Sequence, residues 1–417
     1  MTQSGQFKDG LTKNGKVALQ NTSSSCIVNK MPLNLRIKTI QSSLLYMSVK
    51  DIITKVRIKS RDRLVRFCNE DLVRISRIRH TYKEFRRCKP EMLLSPLQPD
   101  QRQEILNFWR PYRNVEKELQ WFDFYNGLCP DKSLLKYYIP DVIFYSDVDR
   151  YFTYPTRSDN FDDKNMYDIY FHDVKRPRTV IRKIDGEYFD NEYLPITFDQ
   201  AVQLCVDAGQ VVSKEARLSL GGKGVHFFDF AQDSVEDFKR VLNRNKDLNV
   251  QLVIEQHECL NKIHDKSINT LRLMTLYLDG EVNIISSVLR MGRDGARVDN
   301  GSHGGIICGI NDDATLKELA YNTRGYSWKR HPQGVTFNGY KITGYEQCRE
   351  MVKRLAGRLL TTSRLISWDF AIDPEGNPIL IEVNLTYGGV LVHQLCNGPI
   401  FGDRTEEILN RVYHQSK

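Results

Sequence analysis

The segment that most constrains the fold lies near the carboxyl end of the chain, in the sequence WDFAIDPEGNPILIEVN, residues 368–384. Two apolar runs flank the polar stretch DPEGN, in which proline and glycine favour a tight turn. Apolar runs joined by a tight turn form an antiparallel hairpin. Reflecting the sequence about Glu375 pairs Asp369 with residue 381, next to Glu382. The segment therefore predicts a hairpin in which Asp369 and Glu382 are cross-strand neighbours.

Three oxygen-bearing side chains are expected on one face of this hairpin. Glu382 and Asn384 are two residues apart, so on a strand they project from the same face, and Asp369 lies across from them. A carboxylate cluster flanked by apolar residues is costly to bury unless a hard cation such as Mg²⁺ neutralises it. We therefore predict a metal site formed by Asp369, Glu382 and Asn384. The alternative is an ordinary hairpin with one exposed acidic face.

A second signal combines a lysine on an apolar strand with a glycine loop, in VVSKEARLSLGGKGV, residues 211–225. Lys214 needs an anionic partner on such a strand. Backbone N–H groups of a loop containing Gly221, Gly222 and Lys223 can close over phosphates while the lysine neutralises them. The spacing differs from that of the P-loop and of the dinucleotide fingerprint. A plain hairpin turn is the alternative.

Further candidates follow on the next strands. The sequence QLVIEQHE predicts a strand that emerges into a polar linker, whose backbone can read an adenine edge while Glu258 or a nearby acid binds ribose. The candidate linker residues are Glu255, Gln256, His257 and Glu258. Arg272 and Arg290 lie on otherwise apolar strands, and inward arginines need anions. The alternatives are a polar strand end and solvent-facing arginines.

Composition and periodicity divide the chain into four regions. Residues 1–46 are rich in Ser, Thr, Asn, Gly and Lys without a sustained period, which predicts a flexible leader. Residues 47–120 show a helical period among basic residues, and residues 121–195 combine dense aromatics with Pro- and Asp-rich turns, typical of mixed α/β structure. Residues 196–417 carry the motifs above. The predicted fold class is α+β with antiparallel sheets.

Local patterns predict individual elements. Asp-Gly pairs at 185–186 and 279–280 predict hairpin turns. Thr197 with Gln200 forms a capping box that opens a helix. The alternating sequence of residues 269–292 is long enough for three strands.

Charge and cysteine usage indicate the setting of the protein. Nine scattered cysteines without paired metal-ligand spacing favour a reducing compartment. No apolar run approaches the roughly 18 residues that a membrane-spanning helix needs, and the amino-terminal sequence lacks the apolar stretch of a signal peptide. We therefore expect a cytoplasmic protein. Residues 51–90 contain thirteen Lys or Arg against five Asp or Glu, which predicts either a solvated helix face or a surface that contacts an anionic glycan or the inner face of a membrane.

Taken in order, these pieces resemble the ATP-grasp superfamily of nucleotide-dependent ligases over residues 160–395. The resemblance implies two antiparallel-sheet lobes that clamp ATP, and it implies Mg²⁺ as the metal. The nucleotide-binding residues that it implies are Lys164, Lys214, Gly221, Gly222, Lys223, Glu255, Gln256, His257, Glu258 and Arg272. The metal triad that it implies is Asp369, Glu382 and Asn384.

The segment RVDNGSHGG, residues 297–305, is similar to the arginine, asparagine and Gly-Gly segment of glutathione synthetase and of the ribosomal-protein glutamate ligases. The step from Arg297 to Asn300 is one residue longer here. The similarity implies that an acyl phosphate and its tetrahedral oxyanion are stabilised in this region. The catalytic residues implied are Arg290, Asn300, Gly304 and Gly305. His303 is a candidate proton acceptor.

SINTLRLMTL together with GSHGG looks most like the sugar-transfer-associated branch of the superfamily, from bacterial surface-polysaccharide gene clusters. This branch implies an ATP-dependent ligase that joins a sugar carboxylate, such as a uronic acid, to an amino acid or amine, with no nucleic-acid partner. The alternatives are an ATP-grasp kinase and a non-catalytic polyanion-binding protein. At the ribose position Lys262, His264 and Asp265 compete, and the sequence leaves the oligomeric state open.

Overall fold

The computed structural model describes residues 71–158, 161, 163–217, 224–295 and 304–415. Contacts between Cα atoms separate residues 1–68 from a second unit, residues 69–417, to which every described residue belongs. The expected leader and the first part of the basic stretch lie outside the described residues. So do four of the candidate site residues, Gly221, Gly222, Lys223 and Asn300, as well as His303.

The longer helices are α1 Val73–Cys88, α2 Pro99–Trp109, α3 Leu119–Leu128, α4 Phe198–Asp207, α5 Val235–Arg244, α6 Tyr345–Ala356, α7 Val390–Asn397 and α8 Thr405–His414. Shorter helical turns are Asp141–Ile143, Phe144–Val148, Asp149–Phe152, Pro155–Ser158, Tyr167–Tyr170 and Glu258–Asn261. Within the described ranges, none of the helices combines the length and the hydropathy that a membrane crossing requires.

The first sheet has six antiparallel strands in the order β3-β2-β1-β6-β4-β5. They are β1 Thr179–Ile184, β2 Glu187–Asp190, β3 Pro195–Ile196, β4 Gln210–Glu215, β5 His226–Asp229 and β6 Leu248–Leu252. The predicted turn at residues 185–186 joins β1 to β2 with positive φ at both positions, and the predicted capping box opens α4. The expected region boundary near residue 195 falls inside this sheet. Strands β1 and β2 precede residue 195, and β4, β5 and β6 of the same sheet follow it.

The second sheet has seven antiparallel strands in the order β11-β10-β9-β8-β7-β12-β13. They are β7 Thr270–Leu278, β8 Glu281–Met291, β9 Ile306–Ile310, β10 Leu316–Tyr321, β11 Ser327–Trp328, β12 Leu365–Ile372 and β13 Pro378–Asn384. The prediction of three strands over residues 269–292 is wrong, because β7 and β8 form one long hairpin. The pairing of these two strands shifts register between Met274 and Thr275.

The helices before the first sheet pack against the second sheet and against α7 and α8. Trp109, Trp121, Phe122 and Phe144 are almost completely buried in the core that they share with residues of β7 and β8. Burial of such large aromatic side chains is the main favourable term in this packing. The described part of the basic region, from residue 71 onward, therefore belongs to a helical layer that packs against the second sheet.

Some basic residues of helix α1 form ion pairs with other parts of the protein. Arg77 is buried, and its Nη1 atom donates to Asp149 Oδ2 at 2.8 Å and to the Tyr145 carbonyl oxygen at 3.0 Å. Arg74 donates to Asp147 at 2.7 Å. Arg77 is thus neither on a solvated face nor available to an external anionic partner, so both predicted roles of the basic stretch are wrong for this residue. For exposed residues such as Arg79 the contact with an anionic glycan or membrane stays a prediction.

Substitution of Arg77 by Ala should destabilise the protein by about 3–5 kcal/mol, because it leaves the buried Asp149 carboxylate without its cation. The matched control is Arg79→Ala on the exposed side of the same helix, which should change the free energy of unfolding by no more than about 0.5 kcal/mol. Urea unfolding followed by circular dichroism measures both. Equal stabilities of the two variants would show that the Arg77 pair contributes nothing to the fold.

Candidate active site

The hairpin of β12 and β13 contains a bulge that brings the predicted metal residues together. Phe370 pairs with Leu380, but Asp369 pairs with Glu382, so residue 381 is the extra residue. A bulge reverses the facing of the residues beyond it, and Asp369 and Glu382 therefore project from the same face of the sheet. The prediction that the two carboxylates are cross-strand neighbours is confirmed.

The other neighbour of Asp369 is a cation. Strand β7 pairs with β12 so that Arg272 lies directly opposite Asp369. The Arg272 Nε and Nη2 atoms donate to the two carboxylate oxygens at 2.6 and 2.5 Å, and Arg290 Nη1 donates to Oδ2 at 3.2 Å. A bidentate guanidinium–carboxylate pair is among the strongest polar contacts in proteins. The two strand arginines thus face inward, as predicted, and share one carboxylate.

Charge governs the protonation of this cluster. Burial acts to raise the pKa of the Asp369 carboxyl, but the Arg272 guanidinium, with help from Arg290, holds that pKa below its usual value. His393 of helix α7 is also fully buried, and burial, followed by the charge of Arg272, lowers its pKa to about 3. At neutral pH the cluster therefore holds two positive charges, one negative charge and a neutral imidazole.

The second carboxylate of the hairpin also has a protein cation beside it. Lys164 Nζ lies 3.0 Å from Glu382 Oε1. The sequence suggested that the carboxylates require a metal to be neutralised; in the structure Lys164 and the two arginines balance them. The residues expected to meet phosphate therefore touch the carboxylates directly.

The same face fits a divalent ion by the chemistry of its donors. Asp369, Glu382 and Asn384 offer two carboxylates and an amide oxygen, which are hard ligands suited to Mg²⁺. The Asn384 Nδ2 atom is buried without a hydrogen-bond partner among the described residues. No hydrogen-bond acceptor in the described part of the chain therefore fixes the amide nitrogen of Asn384. No group of three His, Cys, Asp or Glu side chains in the described ranges is arranged to bind a metal, so the asparagine would complete the set.

Two features of the segment after β13 were not predicted. His393 Nδ1 lies 2.8 Å from Ser286 Oγ. Gly389 has φ +87°, and a Cβ atom built on it would lie 3.0 Å from Arg272 Nη1. The positive φ favours glycine at this position, and the missing side chain lets the backbone lie close to the Arg272 guanidinium. The Gly-Gly pair that follows Asn384 by four residues was the available signal in the sequence.

The linker after β6 borders a cavity of about 550 Å³, whose other walls come from β4, β5 and the turn between β12 and β13. Glu255, Gln256 and Glu258 line it, together with Asp265 and Lys266. Among the three residues that competed for the ribose position, Asp265 alone lines this cavity: His264 is fully buried and Lys262 lies 2.6 Å from Glu258. Of these three residues, Asp265 is therefore the one that a ligand in this cavity can contact, as can Glu258.

Two linker side chains hold the loop rather than face a ligand. Gln256 is buried; its Nε2 atom donates to the carbonyl oxygens of His264 and Ser267, and its Oε1 atom accepts from Asn269. His257 accepts from the Cys259 N–H and caps the short helix Glu258–Asn261. Their backbones take part as well, because the Gln256 carbonyl oxygen accepts from Asn261 Nδ2 and the His257 N–H donates to the Ile372 carbonyl oxygen.

The remaining candidates lie on β4 and directly before β9. Lys214 on β4 donates to Gln251 Oε1 at 3.2 Å. Gly304 and Gly305 immediately precede β9, which pairs with β8 so that Met291 meets Ile306 and Arg290 meets Ile307. The Gly-Gly pair thus directly precedes the strand that pairs with the end of β8, and its catalytic role stays a prediction.

Comparison with known proteins identifies the fold family. The model of the sugar-transfer associated ATP-grasp family matches residues 200–410, about half of the chain. The chain belongs to this family. It has the ATP-grasp fold, with two antiparallel sheets and flanking helices. No curated protein matches the sequence.

Solved structures with similar folds include three ATP-grasp enzymes. The D-alanyl-alanine synthetase A of Vibrio cholerae shares 14% identity over 63% of this chain and 67% of its own, with a TM-score of 0.40. The L-amino acid ligase of Bacillus licheniformis shares 13% over 63% and 50%, with a TM-score of 0.38. A biotin carboxylase domain from Hydrogenobacter thermophilus, solved with MgADP, shares 12% over 64% and 48%, with a TM-score of 0.36. The chain spans about half to two thirds of these proteins.

Replacing Asp369 by Asn should destabilise the protein by about 3–5 kcal/mol at pH 7, because two partly buried guanidinium groups lose the buried anion that they share. The folded-state pKa of Asp369 is lowered, so its contribution is complete above the unfolded pKa of about 4 and is lost as pH falls through the lower folded value. Urea unfolding at pH 7 and pH 3 should show a smaller difference between parent and variant at pH 3.

The exposed Asp199→Asn in the first turn of α4 is the control. It should stay close to the parent at both pH values. A difference between parent and Asp369→Asn that is unchanged at pH 3 would contradict the lowered pKa.

Proposed function

We propose that the protein is an ATP-dependent carboxylate–amine ligase that activates its acid as an acyl phosphate. The observation that carries the proposal is the arrangement around Asp369: a face of oxygen ligands on β12 and β13, bordered by Arg272, Arg290 and Lys164. Such a face suits a magnesium-bound triphosphate, whose charge the surrounding cations offset. A kinase would use a similar nucleotide site, and the two reactions differ in the group that accepts the phosphoryl group.

The nucleotide is proposed to lie between the two sheets. The cavity at Glu255 and Glu258 suits the base and, through Asp265, the ribose. Lys164, Lys214 and Arg272 are proposed to contact the phosphates, which requires Lys164 to exchange Glu382 for a phosphate oxygen. Asp369, Glu382 and Asn384 would hold Mg²⁺, which offsets the charge of the terminal phosphates when bound.

The proposed reaction has two steps. A carboxylate oxygen of the acid attacks the γ-phosphorus, the bond from that phosphorus to the bridging oxygen breaks, and ADP leaves. The amine nitrogen then attacks the acyl carbon, loses a proton and displaces inorganic phosphate, which leaves an amide. Arg290 and the backbone of Gly304 and Gly305 are proposed to stabilise the charge on the acyl oxygen. Positioning and neutralisation of charge therefore provide most of the catalysis.

The acid is proposed to be a sugar carboxylate such as a uronic acid. The support is the family itself, which is associated with sugar transfer. The reaction would then attach an amino acid or amine to a sugar in the assembly of a bacterial surface polysaccharide. A cytoplasmic location fits the supply of ATP.

The products of ATP turnover test this proposal. We expect ADP and phosphate when the protein is supplied with ATP, Mg²⁺ and members of a panel of uronic acids, and a hydroxamate when hydroxylamine replaces the amine. Mass spectrometry and the ferric hydroxamate assay detect the products. AMP with pyrophosphate would indicate an adenylating enzyme, and phosphate on a sugar hydroxyl would indicate a kinase; either would overturn the proposal.

In the same assay Lys214→Ala and Glu382→Ala should lower kcat about 100-fold or more, because one removes a phosphate contact and the other a metal ligand. The matched controls are Lys246→Ala and Glu375→Ala, whose side chains are exposed. The controls should keep activity within about two-fold of the parent, as expected for exposed surface changes. Near-parental turnover by either site variant at saturating ATP and Mg²⁺ would show that the site is assigned to the wrong residues.

A further inference from the structure

A surface cavity of about 430 Å³ lies on the first sheet, beside the start of β1 and the turn that follows β2. Its walls carry three arginines, Arg176, Arg178 and Arg182, and two acids, Asp168 and Glu192. Guanidinium groups bind carboxylate and phosphate oxygens through paired hydrogen bonds. The volume lies within the range of small-molecule sites. The cavity therefore has the size and the charged groups of a site for a small anionic molecule.

One acid in the wall is shared by two of the arginines. Arg176 Nη1 and Arg182 Nη2 each form an ion pair with a different oxygen of Asp168. The Thr179 hydroxyl donates to the oxygen that faces Arg182, at 3.4 Å. Both oxygens of Asp168 are therefore occupied, and this carboxylate balances the charge of only one of the two guanidinium groups.

Arg182 lines the cavity but is completely buried. Its guanidinium carbon lies 3.9 Å from the centre of the Tyr193 ring, and its Nη1 atom donates to the Asp190 carbonyl oxygen at 2.8 Å. Its Nε atom is buried and has no hydrogen-bond partner among the described residues. A buried donor without an acceptor requires an explanation in a native protein, and a bound ion supplies one.

Arg178 adds a positive charge for which the described part of the chain offers no ion pair or side-chain hydrogen bond. Its backbone is fixed at the start of β1, because its carbonyl oxygen accepts from the Leu252 N–H at 2.9 Å. Its side chain is exposed at the cavity. Three arginines against two acids leave one excess positive charge in the walls. Arg178 is thus the cation that an incoming anion can contact without displacing a protein group.

The cavity lies on the same face of the first sheet as the proposed phosphate contact Lys214. Lys214, Asn249 and Arg182 form one row across β4, β6 and β1, and usual strand spacing separates the α-carbons at the two ends of this row by about 10 Å. Asn165 lies between them: its Oδ1 atom accepts from Asn249 Nδ2 at 3.0 Å, and its carbonyl oxygen accepts from the Tyr193 hydroxyl. A ligand in the cavity is therefore separated from the nucleotide phosphates by Asn165.

We propose that this cavity binds a second ligand, a sugar that carries a carboxylate or a phosphate group. Arg178 and Arg176 bind the anionic group beside the buried charge of Arg182. Asn191 and His172 are polar wall residues that can hydrogen-bond to sugar hydroxyls. The inference goes beyond the proposed ligase reaction, because the cavity is separate from the nucleotide and from the carboxylates of β12 and β13.

Calorimetric titration of the full chain in saturating ADP and Mg²⁺ tests the proposal, because the nucleotide then occupies its own site. The probes are glucose 1-phosphate and glucuronate, and glucose is the neutral comparison. At least one anionic sugar should bind about ten-fold or more tightly than glucose, as expected for a charge-assisted hydrogen bond. A preference for one of the two anions identifies the group as phosphate or carboxylate. Equal binding of all three sugars, or binding of none, would overturn the proposal.

Two variants of opposite effect locate the site. Arg178→Gln should remove the preference for the anionic sugar, whereas Arg244→Gln, at the exposed end of α5, should keep it. Glu192→Gln removes a negative charge from the wall and should tighten the anionic sugar about two-fold or more. Both site residues are exposed, so the variants should unfold at the parental temperature. Parental anion binding by Arg178→Gln, or no tightening by Glu192→Gln, would overturn the proposal.

This result is independent of the ligase reaction. Hydroxamate formation without charge-selective binding at Arg178 would overturn the anion cavity alone. Charge-selective binding that Arg178→Gln removes, without hydroxamate formation from any acid in the panel, would overturn the acyl-phosphate proposal and leave the anion cavity in place.

Discussion

The contact on which the rest of the site depends is the pairing of one buried carboxylate, Asp369, with two guanidinium groups. Arg272 and Arg290 come from neighbouring strands, so they reach Asp369 only in the register that β7, β8 and β12 adopt. The bulge after Asp369 then places Glu382 beside it on the same face. An unpaired charge at this depth would be costly, so the correct register and the charge pairing stabilise each other. The same pairing leaves an excess of positive charge, which suits phosphate.

The sequence predicted those parts of the fold that depend on neighbouring residues. The Asp-Gly turns, the capping box of α4 and the hairpin of β12 and β13 each follow from a few adjacent side chains. The prediction of three strands over residues 269–292 was wrong because alternation indicates extended chain and leaves the length of each strand open; β7 and β8 are 9 and 11 residues long, above the usual five or six. Arg77 was misread because a helical period shows which residues share a face, and the burial of that face depends on Asp149, which lies 72 residues away.

The candidate site shows the same division. Asp369, Glu382 and Asn384 were predictable because one hairpin carries all three. The pairing of Arg272 with Asp369 joins residues 97 positions apart, and the sequence indicated only that the arginine needs an anion. His393 gave no local signal, because its importance comes from burial and from the groups around it. A lone buried histidine in a sequence looks like any other.

The central claim is that the Asp369 cluster is the metal–nucleotide centre. Calorimetric titration with ADP, in Mg²⁺ and then in EDTA, measures this directly on parent and Asp369→Asn proteins. The account predicts that Mg²⁺ tightens ADP binding to the parent about ten-fold or more, as losses of metal contacts of this kind suggest, and that Asp369→Asn loses most of this gain. An equal gain from Mg²⁺ in parent and in folded Asp369→Asn protein would contradict it.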